Sequence, residues 1–376
     1  MDLKLTETQE VLRQTARTFL AAEFPPSLVR ELEHTELGHS PEIWRKLAEM
    51  AWTALPFPGE YDGLDGSLTD VAVVAEELAQ AASLTPYIPT ILGGLAVQRT
   101  GSEGLKDRLL PGISSGSVVM SVALVEASGS YEPEHINLAA TKRGDGYVLK
   151  GTKLFVEYAR AANELVCAAR TDSSADAASG ITLFVVPADA PGVSITQLKV
   201  IGGDAQSEVV FSDVEVSADR VLGVAGEGWD TVAWMLDVAR ALSSMELVGI
   251  AQRALDMTVD YVGYREAFGR PIGSFQAVHH HCANMAMLLE GARWSTYEAL
   301  WQLDKGMDAT YQCAAAKAAA STAGREVTMM SHQLHGGIGY MEEFDLQLYS
   351  RRAKGLELRW GTPDQMFLKV ADTLGV

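Results

Sequence analysis

The sequence has little of several features that define specialised protein classes. Its three cysteines, Cys167, Cys282 and Cys313, are too few and too far apart for a disulfide framework or a zinc site. No apolar run reaches the ~18 residues that a membrane-spanning helix needs. The first ten residues, MDLKLTETQE, lack the apolar stretch of a secretion signal. These absences argue against disulfide-rich, membrane-spanning and secreted classes and predict a cytoplasmic protein.

Basic residues are also scarce. The 376 residues include 30 Lys and Arg against 49 Asp and Glu, a net charge of −19, and no run of basic residues. Nucleic acids and anionic membranes are bound mainly through basic patches, so neither is an expected partner. The 47% of hydrophobic residues is enough for a large buried core and two or three domains. Composition therefore predicts a globular protein of enzyme size but names no reaction.

The period of the apolar residues changes twice along the chain. Residues 1–117 have apolar residues at helical spacing, and Thr6 with Gln9 suits a capping box at the first helix. Residues 118–222 contain short β-branched segments separated by turn residues, which predict antiparallel strands. Residues 223–376 return to the helical period in long segments. This order predicts an α+β fold with an N-terminal helical domain, a middle antiparallel β domain and a C-terminal helical bundle.

The familiar catalytic and nucleotide-binding motifs are missing. No G-x-G-x-x-G opens a helix after a strand, and the sequence has no P-loop, no G-x-S-x-G and no H-E-x-x-H. Three adjacent histidines at 279–281 resemble a metal cluster, but neighbouring residues on a helix point in different directions. We therefore predict no metal site.

One distinctive segment is YREAFGRPIGSFQ. A helix is predicted to end at Gly269 and a second helix to begin near Ser274. Arg265, Phe268 and Gln276 offer a cation, an aromatic face and an amide, a set that can hold a pyrophosphate and an adenine. A plain corner between two helices explains the same pattern, so spacing alone leaves both interpretations open.

A second segment is QLHGGIGY, which contains Gln333 and the adjacent glycines Gly336 and Gly337. Two glycines after a helix let the backbone approach a ligand closely. They also suit a helix C-cap followed by a turn.

Three segments together resemble the acyl-CoA dehydrogenase family. They are YREAFGRPIGSFQAV, QLHGGIGYMEEFDLQLYSRRAK and FSDVEVSADRVLGVAGEGW, and the resemblance covers the whole chain. It implies FAD bound at an interface between subunits, in a dimer at minimum and a tetramer by expectation. It also implies that a glutamate removes the α-proton of an acyl-CoA thioester, while a hydride passes to the flavin and an electron-transferring flavoprotein then takes the electrons.

The resemblance divides the FAD-binding residues into two groups. The first group holds the adenosine and pyrophosphate of FAD bound by a neighbouring subunit, and this chain keeps it: Arg265, Phe268, Gln276, Gln333, Gly336 and Gly337. The second group faces the flavin ring in the chain's own subunit: Leu124, Val125, Phe155, Glu157 and Thr362. Here Val125 replaces a hydroxyl, and Glu157 replaces the threonine beside flavin N5.

Both positions at which the family carries its catalytic glutamate hold other residues. Trp360 stands before Gly361-Thr362, and Ala239 stands before Arg240. The chain therefore looks most similar to bacterial members that lack the usual glutamate. Glu157 and Glu246 remain as candidates for the base, although Glu246 lies about 10 Å along its helix from Ala239. The catalytic base is left unassigned.

Three hypotheses follow from this pattern. In the first, the chain is a catalytically silent subunit that completes the FAD site of a second acyl-CoA dehydrogenase-like subunit, as in enzymes of lipid or steroid catabolism. In the second, it is a self-sufficient homomeric flavoenzyme with a non-standard base or with desulfinase-, oxidase- or hydroxylase-like chemistry. In the third, it is a standard dehydrogenase whose base the alignment misplaces. The acyl group is not predicted by any of them.

Overall fold

A computed structural model describes residues 4–172 and 176–375. The amino-terminal part is helical, with α1 (Glu7–Glu23), α2 (Pro26–Leu32), α3 (Pro41–Glu49), α4 (Leu68–Gln80), α5 (Tyr87–Thr100) and α6 (Glu103–Ser114). The predicted capping box is confirmed, because the Thr6 hydroxyl accepts from the Gln9 amide and the Gln9 side chain accepts from the Thr6 amide.

The middle part forms one eight-stranded sheet. Its strands are β1 (Met120–Ala123), β2 (Ala139–Arg143), β3 (Gly146–Glu157), β4 (Glu164–Arg170), β5 (Ile181–Pro187), β6 (Val193–Leu198), β7 (Gln206–Val216) and β8 (Val221–Leu222). The order is β6-β7-β3-β2-β4-β5-β8, with β1 also paired to β4. The predicted antiparallel pairing does not hold at two contacts: β1 runs parallel to β4, and β2 also meets β4 in parallel at Ala139 and Arg170. The chain passes through β2 and β3 between β1 and β4, and a hydrophobic pattern does not encode strand direction.

Strands β4 and β5 are buried on both faces. Along β4, Val166 and Ala168 pack against the helices, while Leu165, Cys167 and Ala169 pack into a second core on the opposite face. This alternation follows from the two-residue period of a strand. The sheet therefore joins a helical core on one side to its own apolar core on the other.

The carboxy-terminal part is a helical bundle. Its helices are α7 (Trp229–Tyr264), α8 (Gln276–Asp304), α9 (Thr310–His335), α10 (Leu346–Leu358) and α11 (Pro363–Leu374). Between α7 and α8 lies a small hairpin made of β9 (Glu266–Ala267) and β10 (Arg270–Pro271).

Helix α7 lies at the centre of the molecule and contacts both helical parts. It is 36 residues long, and most of its side chains between Thr231 and Ala251 are buried. Gly249 allows α4 to approach closely, because a Cβ atom there would lie 2.3 Å from the Glu76 carbonyl oxygen. The amino-terminal helices and the bundle therefore share one core, with the sheet packed beside it.

Within the described residues, no helix combines the length and apolar character needed to cross a bilayer.

Candidate functional site

A cavity of about 490 Å³ lies where the sheet meets the loop between α10 and α11. Its wall is formed by the segment after β1, the end of β3, the loop before β7 and residues of the α10–α11 connection. The structure brings together here all the predicted ring-facing residues and the tryptophan at the glutamate position: Leu124, Val125, Phe155, Glu157, Trp360 and Thr362. Thr362 also caps the start of α11, since its hydroxyl accepts from the Gln365 amide in a capping box.

A buried lysine fixes the segment that carries Leu124 and Val125. Lys153 is 0% exposed, and its Nζ donates to the Leu124 carbonyl at 3.0 Å and to Glu126 Oε1 at 2.8 Å. The same Glu126 oxygen accepts from the backbone amides of Asn137 and Leu138. A buried charge needs such partners to offset the loss of water. The wall of the cavity is therefore held rigidly by polar contacts behind it.

A bulge at the end of β3 decides which side chains reach the cavity. The pairing of β3 with β7 shifts between Lys153 and Val156, and Phe155 has φ 56°. This left-handed backbone is uncommon for an aromatic residue. It leaves Phe155 half-exposed at the cavity, whereas Glu157 is buried.

Trp360 is locked in place at the position where the resemblance implies a glutamate. Its side chain is 5% exposed and its ring lies 5.5 Å from that of Tyr131. Its backbone amide donates to Tyr131 Oη at 3.0 Å, and its carbonyl accepts from Arg240 Nε at 3.1 Å. Asp237 pairs with Arg240 at 2.9 Å, while Ala239 is fully buried. An indole and a methyl side chain therefore occupy the two positions at which a base was expected.

Arg359, next to Trp360, forms the most unusual feature of the site. Its guanidinium is buried and pairs with both Glu157 and Asp204. Glu157 and Arg359 line the 490 Å³ cavity on one side and a second cavity of about 40 Å³ on the other. This ion pair is thus a partition between the two spaces. We refer to Glu157, Asp204 and Arg359 as the charged partition.

The smaller cavity holds more charged groups. Glu246 from α7 and Arg352 from α10 line it, and the Arg352 side chain donates to the Ser83 carbonyl. A volume of about 40 Å³ is enough for about one water molecule. The cavity cannot hold an acyl chain in this conformation.

Burial shifts the titration of the carboxyls around the partition. Burial raises the pKa of Glu157 to about 7, although Arg359 opposes this shift. Burial also raises the pKa of Glu246 to about 8, again against the attraction of Arg359. Burial acts to raise the pKa of Asp204 too, but Arg359 and the hydrogen bond from Gln206 outweigh it and hold that pKa below its usual value. Of the two carboxyls paired with Arg359, only Asp204 therefore has a pKa below its usual value.

A second buried lysine supports the end of α10, directly before Arg359. Lys317 on α9 donates to the Leu356 carbonyl at 2.9 Å and to Ser321 Oγ at 2.7 Å. Leu356 lies in the last turn of α10, where carbonyl groups lack helical partners. Burial lowers the pKa of Lys317 to about 7. Its contacts fix the point at which Arg359 and Trp360 leave the helix.

The residues predicted to face a neighbour's nucleotide lie elsewhere, and they face solvent. Arg265, Phe268 and Gln276 are exposed around the small hairpin. The prediction that a helix continues to Gly269 was wrong: α7 ends at Tyr264, and the chain turns back on itself through β9 and β10. Pro271 and the positive φ of Gly269 favour this turn over a longer helix.

The second exposed group ends helix α9. Gln333, Gly336 and Gly337 are exposed, and Gly336 has φ 64°. A Cβ atom at either glycine would meet nothing within 4 Å. The backbone is therefore open to approach at this turn.

A larger groove of about 1050 Å³ lies between α1, α4, α7 and α8. Its volume exceeds that of the partitioned site, and several of its charged side chains pair with one another. Arg17 pairs with Glu77, and Arg293 pairs with Glu76. In the part of the chain that the structure describes, no group of three His, Cys, Asp or Glu side chains could hold a metal ion.

Comparison with known sequences and structures decides the family. Three family sequence models match in order: acyl-CoA dehydrogenase N-terminal domain at residues 6–117, middle domain at 121–214 and C-terminal domain at 226–375. The chain is a member of the acyl-CoA dehydrogenase family. It is accordingly an oxidoreductase of that family, whose cofactor is FAD. The predicted fold class is confirmed.

Individual relatives cover the whole chain. A probable acyl-CoA dehydrogenase, YngJ of Bacillus subtilis, is 31% identical over 100% of both chains. Butyryl-CoA dehydrogenase of Megasphaera elsdenii is 28% identical, with a TM-score of 0.93 over 100% of both chains. The ChsE4–ChsE5 complex of Mycobacterium tuberculosis contains a chain 28% identical, with a TM-score of 0.92 over 100% of this chain and 99% of that one.

Sequence reasoning missed several residues of the site. Arg359, Asp204, Tyr131 and Lys153 come from separate segments, and each is polar in a region where only the fold shows what it contacts. One available signal was Arg359 itself, a charged residue directly before an apolar residue at the glutamate position.

Proposed function

We propose that this chain is the catalytically silent subunit of a heteromeric acyl-CoA dehydrogenase. In this proposal it completes the FAD site of a second acyl-CoA dehydrogenase-like subunit, in a dimer or tetramer, and does not itself desaturate an acyl-CoA. The observation that carries the proposal is the charged partition. Glu157 and Arg359 separate the cavity lined by the ring-facing residues from the small cavity behind it.

The partition opposes catalysis for a physical reason. A desaturating site must place the acyl α- and β-carbons between a base and the flavin ring, and it needs room for the rest of the acyl group. Here the buried pair of Glu157 and Arg359 lies between the cavity of the ring-facing residues and a space of only about 40 Å³. Trp360 and Ala239 leave the two expected base positions without a carboxylate. The chain therefore lacks both the room and the base.

The chain's residues suit FAD unequally. Arg265, Phe268 and Gln276 expose a cation, an aromatic ring and an amide, which suit the pyrophosphate and adenosine of a neighbour's FAD. Gln333 exposes a side-chain amide, and Gly336 and Gly337 expose open backbone after α9. Leu124, Val125 and Phe155 would give an apolar wall to a ring in the 490 Å³ cavity, with Thr362 at its rim. Bound in an active subunit, FAD would supply the acceptor for the hydride that leaves the substrate.

The substrate and electron acceptor are assigned by family. We propose an acyl-CoA thioester as the substrate of the complex and an electron-transferring flavoprotein as its electron acceptor, in cytoplasmic lipid or steroid catabolism. The similarity to a chain of the ChsE4–ChsE5 complex, which joins two separately named chains, supports the heteromeric assembly. We retain three domains, 1–117, 118–222 and 223–376, as part of this proposal.

A self-sufficient flavoenzyme is the second candidate, and one observation favours it. Glu157 and Glu246 both have a raised pKa, of about 7 and about 8. A general base works best when its pKa lies near the working pH. Against this, Glu157 is paired to Arg359, and Glu246 faces a space of about 40 Å³. This second candidate also includes flavin chemistry that needs no standard base, such as that of an oxidase, desulfinase or hydroxylase.

Purification with and without a partner tests the proposal. The chain is expressed alone and with an acyl-CoA dehydrogenase-like chain encoded beside it, and FAD per subunit and turnover of an acyl-CoA panel are measured. We expect activity only in the pair. Full flavin occupancy with turnover by the chain alone would refute the silent-subunit proposal and support the second candidate.

A further inference from the structure

The hairpin between α7 and α8 carries a strained aromatic residue at its tip. Phe268 and Gly269 connect β9 to β10, and both have positive φ, 55° and 81°. Two such residues make a primed two-residue turn, whose first position favours Asn, Asp or Gly. A phenylalanine there is sterically disfavoured and persists only where its surroundings hold it. Phe268 is nevertheless 94% exposed, so burial does not explain its presence.

Two neighbours hold the Phe268 ring without covering it. The Phe275 ring meets it edge-on, with centroids 6.0 Å apart and planes at 89°. The guanidinium carbon of Arg270 lies 4.2 Å from the centre of the Phe275 ring. Edge-to-face rings and a cation over a ring are both attractive arrangements. Arg270, Phe275 and Phe268 therefore form one stack, with Phe268 as its outer member.

The stack belongs to a unit that also carries the two polar residues of the segment. The Ile272 amide donates to the Arg265 carbonyl at 2.8 Å, which closes the base of the hairpin. The Phe275 amide donates to the Ile272 carbonyl at 3.1 Å, and Gln276 follows directly as the first residue of α8. Arg265, Phe268 and Gln276 are thus attached to one hydrogen-bonded turn.

We infer that Arg270 and Phe275 are positioning residues that hold the Phe268 ring for the adenosine and pyrophosphate part of FAD in a neighbouring subunit. This inference rests on the proposed donation of Phe268 to that FAD. A ring already held in its binding orientation loses less conformational freedom when the ligand binds. The stack provides this ordering in the free chain, and neither Arg270 nor Phe275 needs to touch the ligand.

Substitutions of Phe275 test the inference in the oligomer as purified. FAD is removed and then titrated back, with flavin fluorescence as the readout, and oligomer size and Tm are checked for each variant. Phe275→Leu keeps an apolar side chain but removes the edge-to-face contact, so FAD should bind about threefold to tenfold more weakly. Phe275→Tyr keeps the ring and should bind within about twofold of wild type. Equal affinity of Phe275→Leu and Phe275→Tyr would overturn the inference.

Arg270 needs a separate test because its charge could also act on a phosphate directly. A lysine keeps the charge but not the planar guanidinium. If Arg270 acts through the stack, Arg270→Gln weakens FAD binding more than Arg270→Lys, which keeps a cation over the Phe275 ring, and the salt dependence of binding does not change. A shallower salt dependence in Arg270→Gln that Arg270→Lys restores would overturn the positioning role of Arg270.

One more variant separates failure of this inference from failure of the proposed function. Phe268→Asn keeps a residue suited to the turn and removes the ring. If it leaves FAD binding unchanged, the donation of Phe268 is wrong and the inference falls with it. If Phe268→Asn weakens binding while Phe275→Leu and Arg270→Gln do not, the donation stands and only the positioning role is refuted.

Discussion

The hairpin segment and the charged partition make opposite use of the same kinds of side chain. In the hairpin, Arg265 and Phe268 face solvent. In the partition, Arg359 is buried and paired with two carboxylates, and Trp360 packs on Tyr131. The hairpin leaves its cation and its ring exposed to solvent, whereas the side chains of the partition and Trp360 contact other groups of the same chain. Under the proposed function, donating to a neighbour's site and hosting a reaction are separable properties of this fold.

The largest expected effect comes from removing the centre of the partition. Arg359→Met leaves Glu157 and Asp204 buried without their cation, so the free energy of unfolding should fall by about 3–5 kcal/mol in urea titration. The matched control is Arg143→Met, which breaks the exposed pair with Glu215 and should cost about 1 kcal/mol or less. Equal losses in the two variants would show that the partition is not a coupled buried cluster.

The exposed region should respond in ligand binding and not in stability. Arg265→Ala removes a cation assigned to the pyrophosphate, so FAD should bind about tenfold or more weakly, since hydrogen bonds to charged groups are the strong ones. The Tm of its FAD-free form should stay close to that of FAD-free wild type because the side chain is exposed. The FAD content after gel filtration measures the effect. Unchanged content would show that the hairpin does not donate to a flavin site.

A smaller effect concerns the pH dependence of stability. Burial raises the pKa of Glu246 from 4.5 to about 8, so the folded chain keeps a proton that the unfolded chain has lost between these values. Stability should therefore fall as the pH rises through this window. Glu246→Gln removes the titration, so its Tm should fall less than that of wild type between about pH 5 and about pH 8.5. Glu60→Gln, which changes an exposed carboxylate, is the control. A wild-type slope in Glu246→Gln would contradict the assignment.

The smallest expected effect is on activity after the family's glutamate is restored. Trp360→Glu alone should give no desaturation of any acyl-CoA, because Arg359 still separates the two cavities and would attract the new carboxylate. Anaerobic absorbance of the flavin measures the result. Substrate-dependent reduction in this single variant would show that the missing base, and not the partition, keeps the site silent.

The sequence was sufficient for the order of the three parts of the fold, because helical and strand periods differ over long segments. It also placed Leu124, Val125, Phe155, Glu157, Trp360 and Thr362 in one site through the family resemblance, and the structure brings these residues to one cavity. Their roles in FAD binding remain predictions. The hairpin was mistaken for a helix end because the two-residue turn depends on a strained Phe268 that propensity disfavours.

The partition could not be predicted, because it joins three segments that are distant in sequence. Asp204 precedes β7, Glu157 ends β3 and Arg359 follows α10. Each residue alone is typical of an exposed loop. Only the packing of the bundle against the sheet turns them into a buried cluster.

The central claim is that this chain holds no working acyl-CoA site of its own. The most direct test is an anaerobic titration of the purified chain, loaded with FAD, with a panel of acyl-CoA thioesters, while the flavin absorbance is recorded. The account predicts that no thioester bleaches the flavin, whereas a chemical reductant such as dithionite does. Bleaching in proportion to added acyl-CoA would contradict it.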